Sequence, residues 1–407
     1  MANEQVDRAG LEEYRLAARE WLAKNLTRVE LMGSDEDPSP ERIAEAAQTQ
    51  ARLHKAGYAG FTFPVEYGGQ GLTFEHERVF MEEAKGYDIP IRLFGVSINI
   101  SGATLVSCGT DEQKQRHIPR ILSGEERWLQ FLSEPSGGSD LAGLLTSATK
   151  DGDTFILNGQ KTWSTGAHVS DFALCPVRTR WDVPKHKGIS VLIVDLKSPG
   201  IEIRRIKQMN GDAEFCEEFF SDVIVPESNL VGEENDGWRV TRRLLEIEHL
   251  WPGRAWARRS DATLEVADLV GLAKRRDRDA DSGVRREIVR IHVATEAQNL
   301  LSSRLAQGIE RGRLVPGYGS LVKIGNDTLV QRRAELALNL AGAGGVTWTS
   351  NDGTGRRLAH TFLTSRSRSI AGGTTEIQRN NVSDRVLGLP REPGFDWGTP
   401  FDEIPHN

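Results

Sequence analysis

Two glutamates, Glu246 and Glu248, sit in the run Leu244-Leu245-Glu246-Ile247-Glu248-His249. A carboxylate held beside apolar surface is a group that can take a proton from carbon. Val240, Leu244, Ile247 and Trp251 recur at helical spacing and form one apolar stripe. At ~100° per residue, Glu248 lies about 70° from the centre of that stripe and Glu246 about 130° away. Glu248 therefore borders buried surface, where desolvation raises its basicity, and Glu246 points outward. The plainer reading of either is a glutamate on a helix surface. A second chemical segment is Ser133-Glu134-Pro135-Ser136-Gly137-Gly138-Ser139-Asp140. Its glycines let backbone approach a ligand closely and its small hydroxyls can hydrogen-bond one, although most such octapeptides are surface turns. Trp163 and Thr165 follow the dipeptide Asn158-Gly159, and Trp163 reads equally as core. Gly342, Gly344 and Gly345 come after the apolar run Leu336 to Leu340, a pattern that also serves simply to stop a helix.

The elements that must position these residues follow a simple order. Leu11, Tyr14, Ala18, Trp21 and Leu22 recur with helical spacing, as do Ala44, Ala47, Ala51 and Leu53 after a polar linker containing prolines. Gly57 is a helix stop, Pro64 to Gly71 a loop, and helical patterning returns from Glu75 to about Ser123. Near Trp128 the period changes. Asp151-Gly152 and Asn158-Gly159 read as hairpin turns flanking Thr154 to Leu157. Phe172 to Val177, Ile189 to Val194 and Ile201 to Ile206 are further strand candidates. From Trp238 to about Leu387 the helical period resumes. The expected organisation is α+β: a helical domain over 1–126, a middle β-domain over 127–234, a helical bundle over 235–395, and a tail over 396–407.

Bulk properties exclude several classes. The 407 residues exceed one compact core, and a formal net charge of -7 supplies no basic field for nucleic acid. Cys108, Cys175 and Cys216 are widely spaced, which argues against a zinc site or a disulfide framework and fits a reducing, cytoplasmic compartment. The sequence carries no apolar run of the ~20 residues that span a bilayer and no signal-peptide pattern at its start. The charge-dense stretch from Lys274 to Arg290 reads as a solvated loop and helix start.

Five patterns in register resemble the FAD-dependent acyl-CoA dehydrogenase family over roughly Leu11 to Arg391. They are Pro64 to Gly71, Gly109-Thr110-Asp111-Glu112-Gln113-Lys114, Ser133 to Asp140, Asn158-Gly159-Gln160-Lys161-Thr162-Trp163, and Ala371-Gly372-Gly373-Thr374-Thr375-Glu376-Ile377-Gln378-Arg379. The resemblance implies an N-terminal α-helical domain, a small β-barrel or sandwich, and a C-terminal four-helix bundle. It places Leu132 and Ser133 at the flavin ring, Ser139 near the pyrophosphate and the substrate, and Trp163 and Thr165 against the isoalloxazine. Gly342 and Gly345 correspond to a turn that meets the FAD of a neighbouring subunit, with Asn339 where a Gln is common. Thr374 and Glu376 match contacts to the adenosine half, and Arg285 or Arg286 is a candidate for the pyrophosphate.

Many members of that family carry the catalytic Glu immediately before the Gly-Thr of the C-terminal loop. This sequence has Gly372 there, which cannot take a proton but keeps the backbone N–H that polarises the thioester carbonyl. Other members place the base on a helix of the C-terminal domain, and Glu248 falls on that position. His249 stands where Arg is frequent, so substrate contacts there differ. Pro252 implies a kink or end to that helix. The expected function is α,β-desaturation of an acyl-CoA, with electrons passed to an electron-transfer flavoprotein, by a homotetramer or a heterotetramer with a related subunit. Two rivals remain open: a non-catalytic FAD-binding subunit of a heteromeric enzyme, and a flavin-dependent oxidase or monooxygenase on the same fold.

Overall fold

The computed structural model describes residues 8–28, 38–250, 264–348, 353–390 and 398–405. The N-terminal region is helical: α1 (Arg8–Asn25), α2 (Pro40–Lys55), α3 (Phe74–Glu83), α4 (Ile91–Val96), α5 (Ala103–Cys108) and α6 (Asp111–Ser123). Ala18, Leu22, Phe80, Phe94, Leu105, Ile118 and Ile121 are the sealed centre of its core. Helix α6 starts where the sequence supplies a reciprocal cap. The Thr110 hydroxyl accepts from the Gln113 N–H at 3.2 Å, and the Gln113 side chain accepts from the Thr110 N–H at 3.1 Å. Gln113 then reaches out of its helix and donates to the carbonyls of Ser228 and Leu230, both at 2.8 Å, which ties the helices to the β-region.

Between α4 and α5 the chain makes a π-helical turn, Ser97–Gly102. Ser97 and Ser101 are both buried and both address the first strand, β1 (Trp128–Gln130). The Ser97 hydroxyl donates to the Trp128 carbonyl at 3.0 Å and accepts from the Trp128 N–H at 2.8 Å. Ser101 donates to the Leu129 carbonyl at 3.2 Å. The 18-residue run Ile91–Cys108 is long and apolar enough by length and composition to cross a bilayer, contrary to the expectation of no such run. Over half of it is buried inside the protein, as in a core helix.

The middle region is one curled seven-stranded sheet. Its remaining strands are β2 (Ser147–Asp151), β3 (Thr154–Thr165), β4 (Phe172–Arg178), β5 (Ile189–Asp195), β6 (Ile201–Arg205) and β7 (Phe215–Pro226). The order is β1-β4-β2-β3-β7-β6, with β5 pairing β4 off that path. Only one of the two expected hairpin turns exists. Asp151 and Gly152 join β2 to β3, but Asn158-Gly159 lies inside β3 as an irregularity in its pairing with β7, with Gly159 at φ 138°. An Asn-Gly pair suits a turn by its tolerance of positive φ, and the same tolerance suits a bulge.

The C-terminal region contains α7 (Gly237–Leu250), α8 (Val266–Arg275), α9 (Ser282–Glu310), α10 (Gly319–Ala341), α11 (Gly353–Ser365) and α12 (Thr375–Asn381). It is clasped to the sheet by the loop between β6 and β7. Asp212 holds His360 of α11 at 2.7 Å, and Asn210 donates to Thr364 at 3.1 Å. The expected kink site Trp251-Pro252-Gly253 lies outside the described residues. Beyond the bundle, Phe401 is buried against the sheet with the Arg178 guanidinium 3.8 Å from its ring centroid, so this part of the expected tail is packed.

Ser97→Ala should cost about 2 kcal/mol, because it strands the N–H and the carbonyl of buried Trp128 together. The fall in urea midpoint relative to wild type measures it.

Candidate active site

The segment that leaves β1, Phe131-Leu132-Ser133-Glu134, is held from below by one buried cation. Lys161 on β3 is fully buried; its ammonium donates to the Leu132 carbonyl at 3.2 Å and to Glu134 at 2.8 Å. Glu134 also accepts from the N–H groups of Leu145 at 2.6 Å and Thr146 at 3.0 Å. The Thr162 N–H donates to the Ser133 carbonyl at 2.9 Å. Burial opposes charge on Glu134, but Lys161 and the donated hydrogen bonds outweigh it and hold its carboxyl below the usual range.

Across the sheet, Lys161 pairs in register with Glu218 of β7, which is also fully buried. Glu218 accepts from the Ser164 hydroxyl at 3.0 Å through one oxygen, and its other oxygen has no hydrogen-bond partner. Burial pushes this carboxyl up to about 8, with the Ser164 bond pulling weakly the other way. The buried ammonium is thus paired with Glu134, which is held toward its ionised form, while burial pushes Glu218 toward its neutral form.

Directly after this pair, β3 bulges. Pairing with β7 shifts between Thr162 and Ser164, and the extra residue is Trp163, at φ 66° and 58% exposed. A bulky side chain in the left-handed region costs roughly 1–2 kcal/mol, and leaving an indole in water forgoes its burial. Both costs fall at one residue, whose ring meets Phe215 edge-on at 5.9 Å. The bulge turns a large flat face outward beside Leu132, Ser133 and exposed Thr165. Those residues fit a planar aromatic cofactor.

Helix α7 brings the carboxylate. Glu248 is 8% exposed, and Oε2 accepts from Gln130 Nε2 of β1 at 3.2 Å. Glu246 is exposed and lies 3.6 to 3.9 Å from Arg243 and Arg242. The two glutamates are separated as the helical register requires. The side chain of His249 lies outside the described residues.

The other expected contacts are spread over loops and bundle. Ser139 is exposed on the loop before Leu141. Gly342, at φ 58°, and buried Gly345 form the turn that ends α10, with Asn339 exposed before it. Thr374 caps α12, accepting from the Ile377 N–H at 3.2 Å, so its oxygen has a structural task; Glu376 is exposed in the first turn of that helix. Gly372 and Gly373 are consecutive left-handed residues, at φ 71° and 85°. Arg285 and Arg286 are exposed on α9, and Arg285 donates to the Asp279 carbonyl at 3.3 Å.

Comparison with known proteins accounts for this arrangement along nearly the whole chain. Residues 9–125, 130–223 and 235–387 match, in turn, the N-terminal, middle and C-terminal domains of acyl-CoA dehydrogenase. The chain belongs to the acyl-CoA dehydrogenase family. It is 36% identical over 392 residues to acyl-CoA dehydrogenase IpdE1 of Mycobacterium tuberculosis, covering 94% of this chain and 98% of that one. It is 31% identical over 245 residues to the mitochondrial isovaleryl-CoA dehydrogenase of Pongo abelii, covering 59% of this chain and 58% of that one. Among solved structures, "Tcur3481-Tcur3483 steroid ACAD" superposes with a TM-score of 0.77 at 28% identity, covering 95% of this chain and 99% of that one. The ChsE4-ChsE5 complex from Mycobacterium tuberculosis gives 0.70 at 29%, covering 96% and 100%. The protein is therefore an acyl-CoA dehydrogenase, an oxidoreductase of a flavoprotein family whose members generally use FAD.

Sequence reasoning named Trp163 and Glu248 in this acyl-CoA dehydrogenase but gave no role to Lys161, Glu218 or Gln130. A signal for the first two existed, since a Lys and a Glu at inward positions of facing strands must find partners. The bulge at Trp163 breaks the alternation that would have revealed them. Gln130 carries no sequence signal, because its partner is 118 positions away.

Stability should respond to pH through Glu218. Its folded value of about 8 lies above its usual 4.5, so the stability it contributes is complete below pH 4.5 and is lost as pH rises toward 8. Glu218→Gln should flatten that decline, as followed by unfolding midpoints across pH 4 to 9.

Proposed function

We propose that this acyl-CoA dehydrogenase binds FAD and removes the α and β hydrogens of an acyl-CoA, with Glu248 as the base. When bound, FAD supplies acceptance of the β-hydrogen as hydride. The chain's own residues do the rest. Glu248 takes the α-proton onto a carboxylate oxygen, and the electron pair left behind closes the Cα=Cβ bond as hydride departs. The Gly372 N–H polarises the thioester carbonyl, whose oxygen gains charge as the proton leaves. Leu132 and Ser133, fixed by Lys161, line the flavin ring, and Trp163 flanks it. Ser139 and His249 contact the substrate or cofactor at its edges, Thr374 and Glu376 serve the adenosine half, and the turn with Gly342 and Gly345 meets the FAD of a neighbouring subunit.

The observation that carries the reading is a buried Glu248 receiving a hydrogen bond from the strand that leads into Leu132 and Ser133. A merely solvated helix glutamate would lie where Glu246 does. Likeness to a protein titled a steroid ACAD favours a polycyclic, steroid-derived acyl group. An oligomer is part of the reading. Val289, Val293 and Leu300 of α9 lie on one helix face and are 58%, 60% and 71% exposed, as suits a face that packs on another subunit. Similar structures bearing two chain names make a related second subunit the leading arrangement. The proposed electron acceptor is an electron-transfer flavoprotein. A cytoplasmic site of action also belongs to this reading, supported by three free cysteines.

Two experiments test it. Anaerobic mixing with butyryl-, isovaleryl-, octanoyl- and steroid-side-chain-CoA should bleach the flavin absorbance with the last, and Glu248→Gln should slow that bleaching at least about a hundredfold. Bleaching at the wild-type rate in the variant would assign this chain the non-catalytic role instead. Trp163→Gly should weaken FAD binding about tenfold, as read by flavin fluorescence titration. Because the variant relieves the positive φ, the stability of the flavin-free protein should change by less than about 1 kcal/mol.

A further inference from the structure

Gln130 ends a strand whose position is fixed from two sides. Trp128 and Leu129 are bonded to Ser97 and Ser101 of the N-terminal helices, and Trp128, Leu129 and Gln130 pair with Phe172, Ala173 and Leu174 of β4. The Trp128 indole N–H is also engaged, donating to Glu126 at 2.9 Å. From this mount the Gln130 amide crosses to the C-terminal region and donates to Glu248 Oε2 at 3.2 Å. Its own oxygen is buried with no hydrogen-bond partner. A side-chain amide that leaves its acceptor unused is held in place by what its donor does.

We propose that Gln130 is the positioning residue of the catalytic carboxylate: it fixes the rotamer of Glu248 toward the flavin segment and holds it ionised before proton abstraction. The proposal rests on Glu248 being the base. The physical case is an asymmetry between protonation states. An amide N–H donates well to a carboxylate oxygen and poorly to a protonated carboxyl, so the bond favours the ionised form. Proton transfer from substrate weakens the same bond, which keeps the carboxyl ready to give its proton up afterwards.

The charged groups described on and around α7 are engaged with other partners or stand exposed. On α7 itself, Arg239 is paired with Asp236, Arg242 is turned to Glu246, and Arg243 lies near Glu246 and donates to Ser107. The elements packed most extensively against α7 are α5, the turn Ser97–Gly102, β4, β5 and the turn Lys185–Lys187. Of these, α5 brings Cys108, whose thiol burial pushes up, and the Ser97–Gly102 turn brings no ionisable side chain. On β4, Arg178 donates to the carbonyls of Lys185, Ala142 and Leu144. On β5, Asp195 accepts from the Lys197 N–H. In the turn, Lys185 is paired with Asp140, His186 lies against Trp238, and Lys187 is exposed.

The test compares flavin-loaded wild type, Gln130→Met, Gln130→Asn and Glu248→Gln. The protonated carboxyl of Glu248 has an infrared C=O band that is absent from Glu248→Gln, so its growth with falling pH can be followed without any substrate. Gln130→Met keeps the length and removes the donor, and Gln130→Asn keeps the donor but is one methylene too short to reach. Both should move the midpoint of that band up by about one pH unit, an approximately tenfold change in proton affinity. In turnover with the acyl-CoA that bleaches the flavin, the acid limb of kcat/KM should move up equally. The loss should fall on kcat rather than KM, with activity returning at high pH. A purely structural role would lower flavin content or thermal midpoint and leave the limb in place. An unmoved infrared midpoint in both variants overturns the proposal. If Glu248→Gln is inactive at the same time, the base assignment survives it. If Glu248→Gln bleaches normally, the base assignment has failed and this proposal with it.

Discussion

A strand of three residues cannot hold itself in place by ladder hydrogen bonds, yet β1 carries the reference frame of the site. Trp128–Gln130 pairs on one side with β4 only, and on the other its backbone polar groups are taken by two serine hydroxyls. Those serines reach it because the helix between Ile91 and Cys108 widens into a π turn at Ser97–Gly102. The side chain at the strand's end then meets α7. Helical region, sheet and bundle thus converge on one short backbone segment, and the chain continues from it directly into Leu132 and Ser133. A shift in any of the three would displace the Leu132–Ser133 segment and the Glu248 carboxylate relative to each other.

Electrostatics below that segment adds a second constraint. Lys161 is buried with only one ionised partner although two carboxyls are within its reach in the sheet. Desolvating three charges costs more than their mutual attraction returns, which pushes one carboxyl, Glu218, toward its neutral form. Glu134 keeps its charge because it also accepts two backbone N–H bonds, while Glu218 has one hydroxyl and an idle oxygen. The ionised carboxylate is therefore the one covalently continuous with Ser133. Rigidity is thus concentrated at the segment that carries Leu132 and Ser133, and the carboxyl pushed toward neutrality lies on the far strand.

How much of this was readable in the sequence depended on whether the determining contact was local. Helical registers were: Glu248 falls inside and Glu246 outside because both follow from spacing along one helix. The partners of the cap, Thr110 and Gln113, likewise stand only three positions apart. The sequence suggests too short a strand in place of Thr154–Thr165 because Asn158-Gly159 satisfies a turn and a bulge equally well, and only the facing strand decides between them. The strand Phe215–Pro226 was missed for a similar reason. Its inward Glu218 and outward Ile224 blur the alternation, and their placement answers to Lys161 and to residues outside the strand. Gln130 was invisible because nothing near it in sequence reveals a carboxylate contributed from another domain.

Backbone conformation, as well as sequence, makes the loop at Gly372 a poor place for a carboxylate. Gly372 and Gly373 both hold positive φ, and the Gly372 carbonyl accepts from the Gln378 amide at 2.9 Å. A glutamate at residue 372 would have to enter the left-handed region at a cost of roughly 1–2 kcal/mol or unwind the turn that precedes α12. The loop as built therefore serves as a source of backbone N–H groups and is poorly suited to carry a side-chain base. A carboxylate on α7 escapes that conflict, because its helix imposes ordinary φ and buries it by register alone. What the helix does not supply is a rotamer, since a glutamate side chain has three soft torsions. The hydrogen bond from Gln130 of β1 restrains it, and so a carboxylate on the helix and a hydrogen-bond donor on the facing strand form one structural solution.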